Sequence, residues 1–449
     1  MIKRIIIVCL LITCLYAQTA IPPSAGNGSE TNPYQIVSLG NLYWLSSNSV
    51  YWDKHYIQTS DINASECAGW AYTNEYYGWI PIGNQDEPFT GTYDGQYNGI
   101  DSLTIVNTSR NDMFNQGLFG VVKNADIRNI GLTNTFIRIN DGEKIGSLTG
   151  YCNSSNIENC YAVGAIWSRK YVGGLIGYLS NSNVNNCYVK NDDELYHDWG
   201  GVKVFDEHAG GISGYSVNSS ISNCYNCMYI YGERQTNPIT SWGPMFEYDT
   251  TVIIDRCYST SAAQSYDFFF GIPGSNNFCE KTWYDGGYSQ KYFLSSIRTQ
   301  EEMKDPQTYL NGGWDFVNES ENGTDDIWDI DTTGEINEGY PFLTWEYDVS
   351  SNYTSVGDIP KPQSFILYQN YPNPFNPSTM ICYDIREDSY AKLNIYNANG
   401  QLIKILADGH HQAGAYKVMW NASTLSSGIY IYRLEYGDKH ISRKMLLIK

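Results

Sequence analysis

The stretch VGGLIGYLSNSNVNNCYV, residues 172–189, recurs in altered copies on both sides of itself, and this repetition constrains the fold more than any other feature. Aligned on their glycines, the copies are Gly117-Leu-Phe-Gly120, Gly146-Ser-Leu-Thr-Gly150, Gly173-Gly-Leu-Ile-Gly177 and Gly210-Gly-Ile-Ser-Gly214. An asparagine follows each closing glycine by nine residues, at Asn129, Asn159, Asn186 and Asn223, whereas successive closing glycines lie 30, 27 and 37 residues apart. Spacing is fixed inside the phrase and loose between phrases, which is how the coils of a solenoid accept loops.

The residue after the asparagine is Ile130, Cys160, Cys187 or Cys224, and a degenerate fifth copy, VIIDRCYST, puts Cys257 in the same place. Three positions earlier stand Ile127, Ile157, Val184, Ile221 and Ile254. Residues three apart on one straight strand face opposite sides, so a chain that is apolar at both must bend between them. Asparagine tolerates the left-handed backbone and is the natural corner. Corners at a fixed place in glycine-rich repeats imply parallel strands stacked coil on coil, a parallel β-helix, and the general preference for right-handed parallel crossovers makes it right-handed. Abundant Tyr, 39 residues beside 41 Gly, agrees with an all-β fold.

These phrases resemble the GLUG motif, a Gly-Leu-x-Gly repeat of bacterial surface proteins. Further segments in the expected order are similar too: GNGSETNPYQIVSLGNLYWLS, YWDKHYIQTSDINAS, FTGTYDGQYNGIDSLTI, RTQEEMKDPQTYLNGGWDF and GEINEGYPFLTW. Over roughly residues 26–347 the resemblance implies a β-helical surface or adhesion-like module. Some relatives add a zinc peptidase, which needs His-Glu-x-x-His. The six histidines, at 55, 197, 208, 410, 411 and 440, form no such pair, and no Gly-x-Ser-x-Gly elbow is present.

Beyond a polar linker the texture changes. Tyr371-Pro372-Asn373-Pro374-Phe375-Asn376-Pro377 opens a run of alternating strands, AKLNIYN, QLIKIL, AYKVMWN, GIYIYRLE and ISRKMLLI, with a hairpin signal at Asn399-Gly400. Such a series suits a small Ig-like β-sandwich. The opening motif, SGIYIYRL and the basic RKMLLIK end resemble the type A C-terminal sorting domain of the type IX secretion system. That resemblance implies export across both membranes of a Gram-negative cell, with the secretion machinery as the partner of this segment and the outer surface or the medium as its destination.

The resulting organisation is a signal peptide at 1–20, an N-terminal cap with first β elements at 21–100, the repeat β-helix at 101–290, a C-terminal solenoid cap at 291–349, a linker at 350–363 and the sorting domain at 364–449. Lys3 and Arg4 followed by a short apolar run give the leader, which is too short to span a membrane, so no transmembrane helix is expected in the mature chain. Residues 361–449 hold 10 basic against 6 acidic side chains, and residues 21–360 hold 16 against 42. So acidic a body repels nucleic acid.

Chemistry is sparser. Cys160, Cys187, Cys224 and Cys257 are expected to stack as thiols inside the core. Cys224-Tyr-Asn-Cys227 lacks partners for a zinc site. The interruption NDDELYHDWGGVKVFDEH gathers Asp192, Asp193, Glu194, Asp198, Asp206 and Glu207 with His197 and His208 on one loop; a solvated acidic loop is the plain reading, and Ca²⁺ binding or polysaccharide cleavage the alternative. Asp329 and Asp331 start a pattern like a calcium loop, but Tyr340 stands where its closing Glu belongs. Tyr43, Trp44, Tyr51, Trp52, Trp70, Tyr76, Tyr77 and Trp79 suit a cap over the first coil better than a sugar platform. The expected function is non-catalytic display or adhesion, with a glycan or cell-surface ligand and no cofactor; the alternative is a carbohydrate-active enzyme on the same scaffold.

Overall fold

The computed structural model describes all residues except 1–18, 73–74, 110–112, 192–200, 243–250, 261–262, 266–267, 271–275, 281–289, 293–296, 318–321, 324, 332–335, 347–365, 368–369, 371–374, 376, 386–388, 412–413, 438 and 449. All but the last two residues of the expected leader, 1–20, therefore lie outside the described residues. The chain divides into two compact units, residues 1–314 with 330–341, and residues 315–329 with 342–449. None of the described helices is long and apolar enough to cross a membrane.

In the first unit the glycine-phrase repeats each contribute one strand to each of two sheets and up to three short strands to a third. Sheet I has seven strands, among them Met113–Gln116, Gly142–Ile145, Lys170–Gly173 and His208–Gly210. Sheet II has five, among them Phe119–Lys123, Thr149–Asn153, Ile176–Ser180 and Ser213–Val217. Sheet III has 19, including Asp126–Ile139 and Asn156–Ser168. Each strand of sheets I and II pairs in parallel with its counterpart from the neighbouring repeat, and sheet III is parallel except where Tyr76–Gly78 meets Thr104–Asn107. This all-β, parallel, repeat-by-repeat pairing fits a β-helix.

Register confirms the alignment of the phrases. Ile127 pairs with Ile157, Ile157 with Val184, Val184 with Ile221 and Ile221 with Ile254. These residues and Cys160, Cys187, Cys224 and Cys257 are buried in one core, and all four cysteines are free thiols. Between the two columns the corner asparagines have φ of +55°, +51°, +53° and +51° at 129, 159, 186 and 223, and Arg256 takes the slot in the fifth copy at +49°. The first three amides chain along the stack, Asn159 Nδ2 donating to Asn129 Oδ1 at 2.9 Å and Asn186 Nδ2 to Asn159 Oδ1 at 3.2 Å, and Asn223 Nδ2 turns to Asn185 Oδ1 at 3.0 Å.

The tyrosine after each cysteine forms a second column. Tyr161, Tyr188, Tyr225 and Tyr258 stack with successive centroids 4.9 Å apart and planes within 9° of parallel. The spacing is that of the strands, so every ring is held in face contact by the backbone register. At one end the Tyr161 ring lies where a methyl group on Gly131 would stand, and at the other Tyr258 meets Tyr309 and Trp314.

A buried serine column serves the backbone. Ser155, Ser182 and Ser219 each donate to the carbonyl two residues back while accepting a main-chain N–H from the previous coil, from Ala125, Ser155 and Ser182 respectively, at 3.0–3.1 Å. The turn donors are thereby satisfied without water.

Repeat pairing begins earlier than the glycine phrases. Tyr34, Tyr56 and Tyr93 pair in succession and lead to Ile127. Tyrosine fills the aliphatic column here because its hydroxyl finds an internal partner, as Tyr93 does at Gln58 Oε1, 2.9 Å away. The helix Leu39–Ser46, capped by Ser38, packs beside these coils, with Trp52, Trp70 and Trp79 in the same core.

The second unit has its own core, drawn from an antiparallel three-stranded sheet (Ile366–Leu367, Ser378–Ile385, Gly414–Asn421) and an antiparallel four-stranded sheet in the order Leu402–His411, Ser389–Asn397, Gly428–Tyr436, Lys439–Leu447. The Asn399-Gly400 turn joins two of these strands as expected, with Gly400 at φ +78°.

Candidate functional site

The outward side chains of sheets I and II converge along the crease between them. Tyr151, Tyr178 and Tyr215 lie in register on sheet II, each directly after the closing glycine of its phrase. Those glycines create the crease. A methyl group at Gly177 would lie 2.3 Å from the Ile145 nitrogen, and one at Gly214 would lie 2.4 Å from the Val172 nitrogen. With no side chain at these points the sheets approach closely, and Tyr171 of sheet I reaches Tyr178 and Tyr215 at 5.6 and 5.4 Å.

His208 stacks on Tyr171 at 5.4 Å, meets the Tyr215 ring edge-on at 4.9 Å, and shares a hydrogen bond with Ser241 Oγ through Nδ1 at 2.8 Å. Lys144 Nζ sits 5.2 Å from both the Tyr151 and the Tyr178 rings. Burial pushes the Tyr171 and Tyr178 phenols up, so both remain neutral hydroxyls at physiological pH, and burial lowers His208 to about 4, so it remains a neutral imidazole. The result is a half-buried aromatic seam with neutral donors and one ammonium.

Charged groups flank the seam in pairs. Lys170 bonds Glu207 and lies 3.9 Å from Asp206, which is 3.5 Å from Arg234. Burial works against the Glu207 carboxylate, but its bonds from Lys170 and Tyr171 outweigh that, and its pKa falls. Asp206 thus stands beside the cations Lys170 and Arg234 and shares Lys170 with Glu207.

Asp192, Asp193, Glu194, His197 and Asp198 lie outside the described residues. One expectation needs correction: residues 191–208 are not a single loop. Gly201–Val204 pairs with Ala165–Ser168 of the coil before, and His208–Gly210 belongs to sheet I. The alternation of buried Val202 and Val204 with Lys203 is the strand signal that the surrounding charges obscured.

Asp331 accepts the Ile336 N–H at 2.8 Å, and Asp329 lies on the strand Trp328–Ile330. Among the described residues no group of three or more His, Cys, Asp or Glu is placed to hold a metal ion. Of the amino-terminal aromatics, Trp52, Trp70 and Trp79 are buried, and the Trp52 and Trp79 indoles donate to the carbonyls of Leu45 and Leu118. Sequence reasoning missed the seam, although the signal was present: the three copies with a closing Gly-Tyr read GYCN, GYLS and GYSV.

In the second unit, Tyr371, Pro372, Asn373, Pro374 and Asn376 lie outside the described residues, and Phe375 and Pro377 show how the motif is anchored. Phe375 is buried against Trp420, with ring centroids 5.5 Å apart. Its N–H donates to Leu446 O at 2.9 Å and its carbonyl accepts from Ile448 N–H at 3.0 Å. The Pro377 carbonyl accepts from Ala422 N–H at 2.8 Å. Phe375 therefore pairs with the end of the last strand, at Leu446–Ile448.

Comparison with known proteins agrees with both halves of the sequence reading. Residues 168–193 match the GLUG motif, and residues 369–449 match the secretion system C-terminal sorting domain. The chain is also similar to halomucin of Haloquadratum walsbyi, 33% identical over 145 residues, which is 31% of this chain and 2% of halomucin. The likeness thus concerns a small part of a far longer protein.

Proposed function

We propose that the protein is carried to the outer surface of a Gram-negative cell by type IX secretion, with residues 364–449 as the address and the repeat unit as a rigid, non-catalytic display or adhesion module. The match of residues 369–449 to a sorting domain carries this reading. The parallel, repeat-by-repeat pairing supports a parallel β-helix over residues 101–290, with a cap and the first β elements at 21–100 and a second cap at 291–349, and the general preference for right-handed parallel crossovers makes it right-handed. The two antiparallel sheets that share one core support an Ig-like sandwich behind a linker at 350–363. Residues 1–20 act as the leader into the periplasm.

On the display module, the Tyr171, Tyr178, Tyr215 and His208 seam is the surface that would meet a glycan or cell-surface ligand, since aromatic rings offer apolar faces on which sugar rings or apolar side chains can stack. Asp206 is occupied by Lys170 and Arg234, which supports holding over hydrolysis.

The test has two parts. In a host with the secretion machinery, the chain lacking residues 364–449 should remain in the periplasm, and its appearance at the surface would refute the address. The full-length protein on a glycan array should be retained without releasing reducing ends, and turnover would favour the enzyme reading.

A further inference from the structure

The outer face of the four-stranded sheet in the second unit is apolar at one end and charged at the other. Its inner face supplies Leu393, Ile395, Tyr432, Leu434 and Met445 to the core. Outside, Leu402 lies opposite Tyr396, Tyr396 opposite Ile431 and Ile431 opposite Lys444. In the next row Ile405 faces Asn394 and Asn394 faces Arg433, and at the end of the sheet Ile429 faces Leu446. Leu402 is 52% exposed, Ile405 45%, Ile429 52%, Leu446 37% and Ile448 50%. Aliphatic side chains concentrated on one face of a small sheet mark an interaction surface.

Arg433 lies flat over Tyr396, 5.4 Å from its centroid, and Lys444 stands beside Ile431, so the apolar end carries a basic rim.

Resting on the sorting reading, we infer that this face is where the export machinery grips the protein. The occupant is a machinery protein with an apolar patch and a carboxylate for Arg433 or Lys444. At the end of the last strand, Phe375 already occupies the Leu446 carbonyl and the Ile448 N–H, so a partner strand cannot add there. The acidic repeat unit has the wrong charge to favour such a carboxylate-bearing partner, whereas residues 361–449 carry 10 basic against 6 acidic side chains.

The experiment uses the full chain in a type IX-secreting host. Three forms are compared with wild type: the triple variant Leu402→Ser, Ile405→Ser, Ile429→Ser; the single variant Arg433→Glu; and the deletion of residues 369–449. Surface and medium protein should fall about tenfold or more in the triple variant and measurably in Arg433→Glu, with matching periplasmic accumulation and with thermal unfolding of the purified proteins unchanged. Wild-type export of both variants while the deletion is retained would overturn the docking face and leave the sorting reading intact. Export of the deletion would overturn the sorting reading itself. If the triple variant unfolds early, Arg433→Glu alone decides. Wild-type dimerisation that the triple variant abolishes without loss of export would assign the face to a second copy and refute the inference.

Discussion

Arg256 offers a direct test of the corner argument, because it occupies a slot that asparagine fills in the four preceding copies. Its φ is +49°, beside +51° at Asn223. An L-residue with a long side chain held there gives up about 1 kcal/mol that asparagine largely avoids. Asn223 Oδ1 is buried without a partner, and so is Arg256 Nε. Asn159 and Asn186 each donate to the corner amide below, Asn186 to Asn159 at 3.2 Å, while Asn223 donates instead to Asn185 Oδ1 at 3.0 Å; the open Asn223 Oδ1 is the acceptor that the Nδ2 of an asparagine at 256 would meet. That bond contributes about 1 kcal/mol. The substitution removes the Arg256 to Asp255 ion pair, 3.0 Å long and about one-third exposed, which is worth about 0.5 kcal/mol after solvent screening. The net expectation for Arg256→Asn is a stabilisation of about 1.5 kcal/mol. Because solenoid coils open locally, the assay is native-state hydrogen exchange of the amides in Val252–Ser259, which should slow about tenfold. Arg256→Ala keeps the strained backbone and loses the ion pair, so it should exchange faster than wild type. An Asn variant no better protected than the Ala variant would refute the corner account.

Three other outcomes follow from the same packing. Gly177→Ala should cost about 3 kcal/mol or more and lower soluble yield sharply, because its methyl group meets backbone atoms at 2.3 Å that cannot swing away; a melting curve like wild type would show that the crease is not glycine-dependent. Burial raises the Cys160, Cys187 and Cys224 thiols well above their usual range, so the folded protein should resist iodoacetamide at mildly alkaline pH and label only when denatured, as read by mass spectrometry. Acid should weaken the seam. His208 titrates at about 4 in the folded protein against 6.5 in the unfolded chain, so the unfolded state binds the extra proton and stability falls as pH drops through that window. The depressed Glu207 acts in the same direction. His208→Gln should flatten the decline between those two pH values, by up to about 3 kcal/mol, and an unchanged slope would show that His208 does not carry it.

How far the sequence reveals the structure depends on whether local chemistry or packing decides each position. The corner at Asn186 was legible because positive φ selects asparagine and the flanking Val184 and Cys187 are both apolar. A second corner, at Asn124, Ser154, Asn181 and Asn218 with φ of +46° to +51°, was not recognised, since one of its four members is a serine. A third column, Asn115, Lys144 and Tyr171 at +55°, +65° and +51°, gives no sign in residue type, because there the register with neighbouring strands holds the backbone and the side chains are free to serve the surface.

That third column explains why the candidate site was harder to read than the scaffold. Lys144 and Tyr171 stand at backbone positions that neither residue prefers, and both point across the crease toward tyrosines placed by glycines in another sheet. The pattern that makes the seam is therefore split between two sheets and between successive coils, 27 residues apart at Tyr151 and Tyr178 and 37 apart at Tyr178 and Tyr215. A periodicity search within one strand cannot assemble it. Once the glycine phrases fix which coils are neighbours, however, the residue after each closing glycine falls in one column of sheet II, buried as Val121 in the first copy and half-buried as Tyr151, Tyr178 and Tyr215 in the next three. The phrase is therefore both scaffold and presentation frame: glycine, leucine, asparagine and cysteine hold the coil, and the position after Gly150, Gly177 and Gly214 turns its side chain to the crease.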